Sequence, residues 1–158
     1  YRAGEYEPLS TEQAITYCVF LKAWFEGHNI EVIRTGLQST EELDSGNSLV
    51  AGPYEPAMGE LVVNEQYKQC IERCINEHIE SFINKELSQW NIWGQANTFI
   101  ALNIGVFYPR SLTSKVRGLK NRNIVYFQAK YPHLNINWYE DSTRNTVRCC
   151  IDGLQYVL

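Results

Sequence analysis

The sequence predicts an α/β fold that closes in a small α+β unit with a terminal β-hairpin. Three observations carry this. A helical repeat of apolar residues over 10–26 is followed within a few residues by the β-branched, apolar run Ile30-Glu31-Val32-Ile33-Arg34-Thr35-Gly36-Leu37. Helix, short loop and buried strand make half of a βαβ unit. A second helical repeat runs from 63 to about 84, and the end of the chain alternates apolar and polar residues with the period of two expected of strands.

The first helix starts at Ser10. Its hydroxyl can cap Gln13, three residues on as in a capping box, and Glu12 suits the positive helix end. Ala14, Ile15, Cys18, Val19, Leu21 and Phe25 recur at helical spacing, and Gly27 supplies the stop. Residues 38–56, with Ser, Thr, Glu, Asp, Gly, Asn and two prolines, are expected to be a long connection, and loops of that length in compact domains are usually functional or mobile. In the second helix Val63, Tyr67, Cys70, Cys74, His78 and Phe82 form one stripe, supported by Ile71, Ile75 and Ile79, that should face a core. Trp90, Trp93 and Gly94 open the second half, and residues 98–104 read as a strand. Ser111 is the expected cap of a short helix through Val116, Gly118 a break, and 121–129 a further helix ended by Pro132. Leu134, Ile136 and Trp138 share one face, and after a turn at 141–145 Val147, Cys149 and Ile151 share another, which gives the hairpin.

With 158 residues, 44% hydrophobic and 13% aromatic, the chain can bury one core, or form two small units sharing one. It has no apolar run of about 18 residues, and the start Tyr1-Arg2-Ala3-Gly4-Glu5 lacks the basic and apolar regions of an export signal. No membrane partner is expected. The first residue is not Met, so the chain is expected to be processed or cut from something longer. The five cysteines, Cys18, Cys70, Cys74, Cys149 and Cys150, are odd in number and lack the spacing of a secreted disulfide framework; a reducing, cytoplasmic setting fits. On a strand the neighbours Cys149 and Cys150 would point to opposite faces.

The net charge of −4 hides an asymmetry. Residues 1–86 carry 15 acids and 6 Lys or Arg, whereas residues 87–158 carry 3 acids and 8 Lys or Arg. No acid occurs between Leu87 and Tyr139, and Arg110, Lys115, Arg117, Lys120, Arg122 and Lys130 crowd the second half of that stretch. Such a local field attracts phosphate, and the interleaved aromatics (Tyr108, Tyr126, Phe127, Tyr131, Trp138, Tyr139) are what single-stranded RNA needs for its bases. Against this, Tyr126, Phe127 and Trp138 are expected in the core, and the cations can equally be a solvated face.

Cys70, Cys74 and His78 stack on one helix face and invite a metal reading. Three ligands spread over about 12 Å of helix axis cannot all reach one ion, and the stripe is apolar, so no metal site is assigned. Neither a nucleophile elbow, nor His-Glu-x-x-His, nor a phosphate-binding Gly-rich loop occurs. No catalytic residue is assigned, and self-contained hydrolysis is disfavoured.

Three segments carry a resemblance: Tyr6-Glu7-Pro8-Leu9-Ser10-Thr11-Glu12-Gln13-Ala14, Val32-Ile33-Arg34-Thr35-Gly36-Leu37-Gln38 and Val50-Ala51-Gly52-Pro53-Tyr54-Glu55-Pro56-Ala57. They resemble the post-motif half of a bacterial radical S-adenosylmethionine family similar to oxygen-independent coproporphyrinogen oxidases and the Elongator catalytic subunit. Thr35 stands where that family has Ile, and Glu55 where it has His. The stretch Ser114-Lys115-Val116-Arg117-Gly118-Leu119-Lys120-Asn121-Arg122-Asn123-Ile124 resembles the family's tail, and Glu140-Asp141 its acidic hairpin.

The resemblance implies that residues 1–60 are the last helix and strand of a partial (β/α) barrel with a long loop, 61–95 a connecting helix, and 96–158 a small α+β domain. Barrel strand ends face the cofactor, so Arg34, Gly36 and Gln38 would lie at the S-adenosylmethionine end. The family's cluster motif is Cys-x3-Cys-x2-Cys, three thiolates holding three irons. Here Cys70 and Cys74 have the first spacing but Glu77 takes the third place, so the [4Fe-4S] cluster and S-adenosylmethionine are expected only with a missing N-terminal domain. The leading expectation is therefore the substrate-presenting C-terminal part of a radical enzyme acting on RNA such as tRNA, with Lys115, Arg117, Lys120 and Arg122 on phosphates. The alternative is a stand-alone KH-like RNA-binding module in which Gly118-Leu119-Lys120-Asn121 is a degenerate Gly-x-x-Gly clamp, its second Gly replaced by Asn. A purely structural subunit with an acidic half docking a basic partner is the third reading.

Overall fold

The computed structural model describes residues 1–89 and 102–158. Trp90, Trp93, Gly94 and the 98–101 part of the predicted strand lie outside the described residues. The chain divides into two compact units, Tyr1–Gln66 and Tyr67–Leu158. The protein is α/β, and its described residues form a four-stranded mixed sheet that lies in the second unit.

In the first unit α1 spans Thr11–Gly27 and opens with the expected capping box. The Gln13 amide donates to Ser10 Oγ at 3.2 Å and the Ser10 amide to Gln13 Oε1 at 2.8 Å. Its end differs from expectation, because Gly27 stays helical and Asn29 takes the left-handed conformation at φ 60. The Asn29 amide then reaches the Glu26 carbonyl (3.1 Å) and the Ile30 amide the Phe25 carbonyl (2.9 Å). Asn serves here because its short polar side chain tolerates that backbone. Ile15 and Val19 pack with Met58, Leu61 and Val62 from the start of α3 (Met58–Gln89).

The predicted buried strand at 30–37 is not one. Ile33 is 91% exposed, and among the described residues the run pairs with no strand. β-Branched composition supplies a preference, but a strand forms only where a neighbour takes its backbone hydrogen bonds. The long connection contains a short helix, α2 (Glu41–Asp44), capped by Thr40. Ser39 Oγ and Tyr54 Oη each donate to the Asp44 carboxylate at 2.5 Å, clasping the connection and holding that carboxyl below its usual range.

The second unit is built on strands β1 (Asn103–Tyr108), β2 (Asn135–Glu140), β3 (Arg148–Ile151) and β4 (Leu154–Val157), in the order β2-β1-β3-β4. β1 and β2 are parallel, with Asn103 opposite Asn135 and Tyr108 opposite Glu140; β3 runs antiparallel to β1, and β4 to β3. Thus the expected hairpin of 134–138 with 147–151 is replaced by an insertion, since β1 lies between those two segments. Alternation reveals which residues share a face, not which strand lies alongside. The true hairpin is β3–β4, turned at Asp152 (φ 46) and Gly153 (φ 86), an Asp-Gly pair with the backbone that two-residue hairpins require.

Parallel neighbours need a crossover, and two helices supply it. A 3-10 turn at Arg110–Leu112 leads into α4 (Thr113–Arg117), and a second at Leu119–Asn121 into α5 (Arg122–Lys130). Ser111 therefore lies inside a turn rather than capping α4, whose preceding residue, Leu112, makes no side-chain cap. Ile71 and Ile75 of α3 pack with Ile104, Val106, Phe127 and Ile151 in a fully buried core. As expected, Phe127 is buried, Tyr126 and Trp138 pack against that core, and Cys149 points inward while Cys150 on the other face is half-buried. At the rim Glu72 accepts hydrogen bonds from Tyr126, Tyr131 and Lys130, tying α5 to α3. Among the described residues no helix is long and apolar enough to cross a membrane.

Candidate nucleic-acid interface

The crossover between β1 and β2 brings the basic residues together. Leaving the sheet at Tyr108, the chain passes Pro109 and forms a cleft of about 450 Å³ whose walls include Arg110, Thr113, Arg117, Lys120 and Asn121. Gly118 is the pivot. Its φ of 77 favours glycine, and a Cβ there would lie 3.1 Å from both the amide nitrogen and the carboxamide of Asn123. Asn123 is itself buried and donates from Nδ2 to the Val116 carbonyl at 3.0 Å, closing α4 onto α5.

Two non-glycine residues follow in left-handed conformation, Lys120 at φ 53 and Asn121 at φ 62. Such a backbone is costly for L-residues other than Asn or Asp, and it turns the Lys120 side chain into the cleft wall. Asn121 occupies the second Gly position of the Gly-x-x-Gly pattern. It adopts the positive φ that glycine would supply, so the replacement keeps the shape of the turn. Asn121 makes no side-chain cap for α5, so the first-turn amides at the positive end of that helix adjoin the turn.

Of the four cations expected on phosphate, Arg117 and Lys120 line the cleft, whereas Lys115 and Arg122 are exposed on the flanking helix residues outside its lining. Arg117 is half-buried and serves the core as well. Burial pushes the Tyr108 hydroxyl pKa up, and the Arg117 charge and hydrogen bond partly oppose that. Arg110 joins the site although the sequence alone places it only in the general basic stretch; its place two residues past β1 is visible only once the strand end is known. Lys130 stands apart, engaged with Glu72.

Arg34, Gly36 and Gln38 lie in the first unit, where Arg34 and Gln38, with Thr35, Leu37, Pro56 and Glu60 among others, line a second cleft whose lining does not include Gly36. Arg34 donates from Nη1 to Gln38 Oε1 at 3.0 Å, on the surface. Gly36 has a packing reason of its own, since a Cβ there would meet Met58 Cβ at 2.7 Å. Cleft and polar pair could admit a polar ligand, but the cradle at Gly36 is filled by Met58. An iron-sulfur cluster does not fit Cys70 and Cys74, because Cys74 is packed in the core and burial raises its thiol pKa, opposing the thiolate a cluster needs. His78 is buried as well, its Nδ1 3.2 Å from Tyr156 Oη and its Nε2 4.0 Å from Asp152.

In comparisons with protein-family models, curated proteins and solved structures, nothing matches this chain.

Proposed function

We propose that this chain is the RNA-presenting, C-terminal portion of a radical S-adenosylmethionine protein, and that it grips the RNA backbone at the turn between α4 and α5. The observation that carries the proposal is the run Gly118-Leu119-Lys120-Asn121, three of whose residues have positive φ, set between two helices in a cleft walled by Arg110, Arg117 and Lys120. Strain of that kind persists where the surroundings enforce it and is concentrated at functional sites. The strand, helix, turn, helix, strand order supports a KH-like unit, in which such a turn clamps backbone nucleotides. Lys115 and Arg122, exposed on either side, extend the positive surface beyond the cleft.

The first unit supports membership of a larger catalytic body. Tyr17, Phe20, Leu21 and Trp24 recur at helical spacing on α1, yet all are exposed, as are Ile30, Ile33 and Leu37 in the unpaired run. A helix with a second apolar stripe and a β-branched run without a sheet are the parts a (β/α) barrel would cover. The resemblance segments around Gly36 and Pro56 also line one cleft. The cluster and S-adenosylmethionine would reside with the N-terminal domain, supplying radical chemistry, while this chain orients RNA.

A filter-binding titration against a mixed tRNA pool at two salt concentrations tests the clamp. We expect binding that falls steeply with salt. A K115Q/K120Q/R122Q variant should bind more weakly, with a salt slope reduced by roughly 0.7 for each phosphate it no longer neutralises. Unchanged affinity and slope would remove the assignment. The coding sequence upstream of Tyr1 tests the enzymatic context: a Cys-x3-Cys-x2-Cys in frame supports it, and its absence leaves a stand-alone RNA-binding module.

A further inference from the structure

In the second unit α3 and α5 pack on one face of the sheet, and alternate residues of the same strands point to the other. On that other face β1 carries Asn103, Gly105 and Phe107, and β2 carries Asn135, Asn137 and Tyr139. Phe107 and Tyr139 are register partners whose rings stack at 4.9 Å between centroids, with planes 22° apart. Gly105 makes the room: a Cβ there would lie 2.7 Å from Phe107 Cε2 and 3.5 Å from Tyr139 Cε2. From the β3 side the Arg148 guanidinium sits 5.5 Å from the Phe107 centroid. That arginine is only 8% exposed, is held by Asp141, and has a buried Nε without a hydrogen-bond partner.

Arginine, phenylalanine and tyrosine thus form a pile that crosses β3, β1 and β2 and ends on an edge strand with Tyr139, which is 47% exposed. Beside it runs a row of carboxamides, Asn135 donating to Asn103 at 3.1 Å and Asn137 to Asn135 at 3.3 Å. A flat open ring on a cation-backed stack, next to groups that both donate and accept hydrogen bonds, matches a nucleobase. An aliphatic partner surface would use neither feature. The pile is also continuous with the basic cleft: the residue after Tyr139, Glu140, accepts a 3.0 Å hydrogen bond from Thr113, which lines that cleft.

We infer that a nucleobase of the bound RNA stacks on Tyr139 and presents its edge to the Asn137 carboxamide. This rests on the RNA reading above, the clamp holding phosphates and the sheet face holding a base.

The test is an anisotropy titration of the whole chain with a short single-stranded RNA and with an abasic sugar-phosphate strand of equal length. Wild type is compared with Tyr139→Ala, Tyr139→Phe and the K115Q/K120Q/R122Q variant, each first melted by circular dichroism; Tyr139→Leu replaces Tyr139→Ala should the latter melt early. Wild type is expected to prefer the base-bearing strand. Tyr139→Ala should lose roughly fivefold to a hundredfold in RNA affinity and nothing on the abasic strand, with Tyr139→Phe close to wild type. If Tyr139→Ala binds RNA as wild type does while the cleft variant is weakened, the base site is overturned and the clamp stands. If wild type binds neither strand, the RNA reading falls and takes the base site with it. If Tyr139→Ala keeps its RNA affinity but changes sedimentation, the ring belongs to a protein interface, and the inference is overturned.

Discussion

Asn123 and Gly118 close on each other across the turn between α4 and α5, the Asn123 carboxamide lying 3.1 Å from where a Gly118 Cβ would be while its Nδ2 holds the Val116 carbonyl. The pair fixes the shape of the cleft, Gly118 as part of its wall and Asn123 buried behind it. Gly118→Ala must adopt φ 77 at a cost of about 1–2 kcal/mol, with the crowding of Asn123 added. Asn123→Ala should cost about 1–3 kcal/mol by leaving the Val116 carbonyl, in a fully buried residue, without this donor. Urea denaturation measures both, and midpoints equal to wild type would refute the account. Asn121→Gly keeps positive φ available and should leave stability and RNA affinity intact, whereas Asn121→Val should lower both.

Acid stability should carry a contribution from Glu72. Burial pushes its pKa up, but hydrogen bonds from Lys130, Tyr126 and Tyr131 together outweigh burial and hold the carboxyl below its usual range. A carboxyl depressed in the folded state stabilises above its unfolded pKa, and that stability is lost as pH falls through the folded value. Lys130 is shifted the other way by the same contact, upward, so its share is present below the ordinary lysine pKa and is lost only in strong alkali. Denaturant midpoints should therefore fall between about pH 5 and lower values more steeply for wild type than for Glu72→Gln. Parallel profiles would show that the network does not couple α5 to α3.

Adjacent thiols should react at very different rates. Cys149 is fully buried, and burial, then the proximity of Cys74 and Cys150, pushes its pKa to about 12. Cys150 points to the opposite, half-exposed face. An aromatic disulfide reagent at neutral pH should label Cys150 in the native protein and Cys149 only on unfolding, as read by mass spectrometry of peptides. Equal native labelling of the two would contradict the strand register.

The parts of this architecture written locally are legible in the sequence. Ser10 and Gln13 announce the α1 start because a capping box needs nothing beyond four residues, and Gly118 announces a break because only its own φ is at issue. Partnership is not local. Nothing in the alternation of 134–138 says that β1 rather than β3 lies beside it, and the Asp152-Gly153 pair, a strong hairpin signal, competes with a longer loop at 141–145 that looks equally turn-like. The run 30–37 has the composition of a strand without the neighbour that makes one. The cations of the cleft are visible as a cluster in the chain, but Arg110 joins them, and Phe107 meets Tyr139, only through the parallel register of β1 with β2.

The order of the strands also sets when the second unit can exist during synthesis. β1 sits between β2 and β3, and both are made after it. As the ribosome delivers the chain, α3, α4 and α5 emerge before the sheet they cover has a second strand. Helices form locally and fast, whereas pairing strands far apart in sequence must first close long loops. Until Ile151 has emerged, Ile71 and Ile75 have no complete sheet to rest on, and the nascent chain displays an apolar helix face to whatever is near. The pairing of β2 and β3 with β1 thus ends that exposure, and a chain terminated just before those strands would keep Ile71 and Ile75 exposed and prone to aggregate.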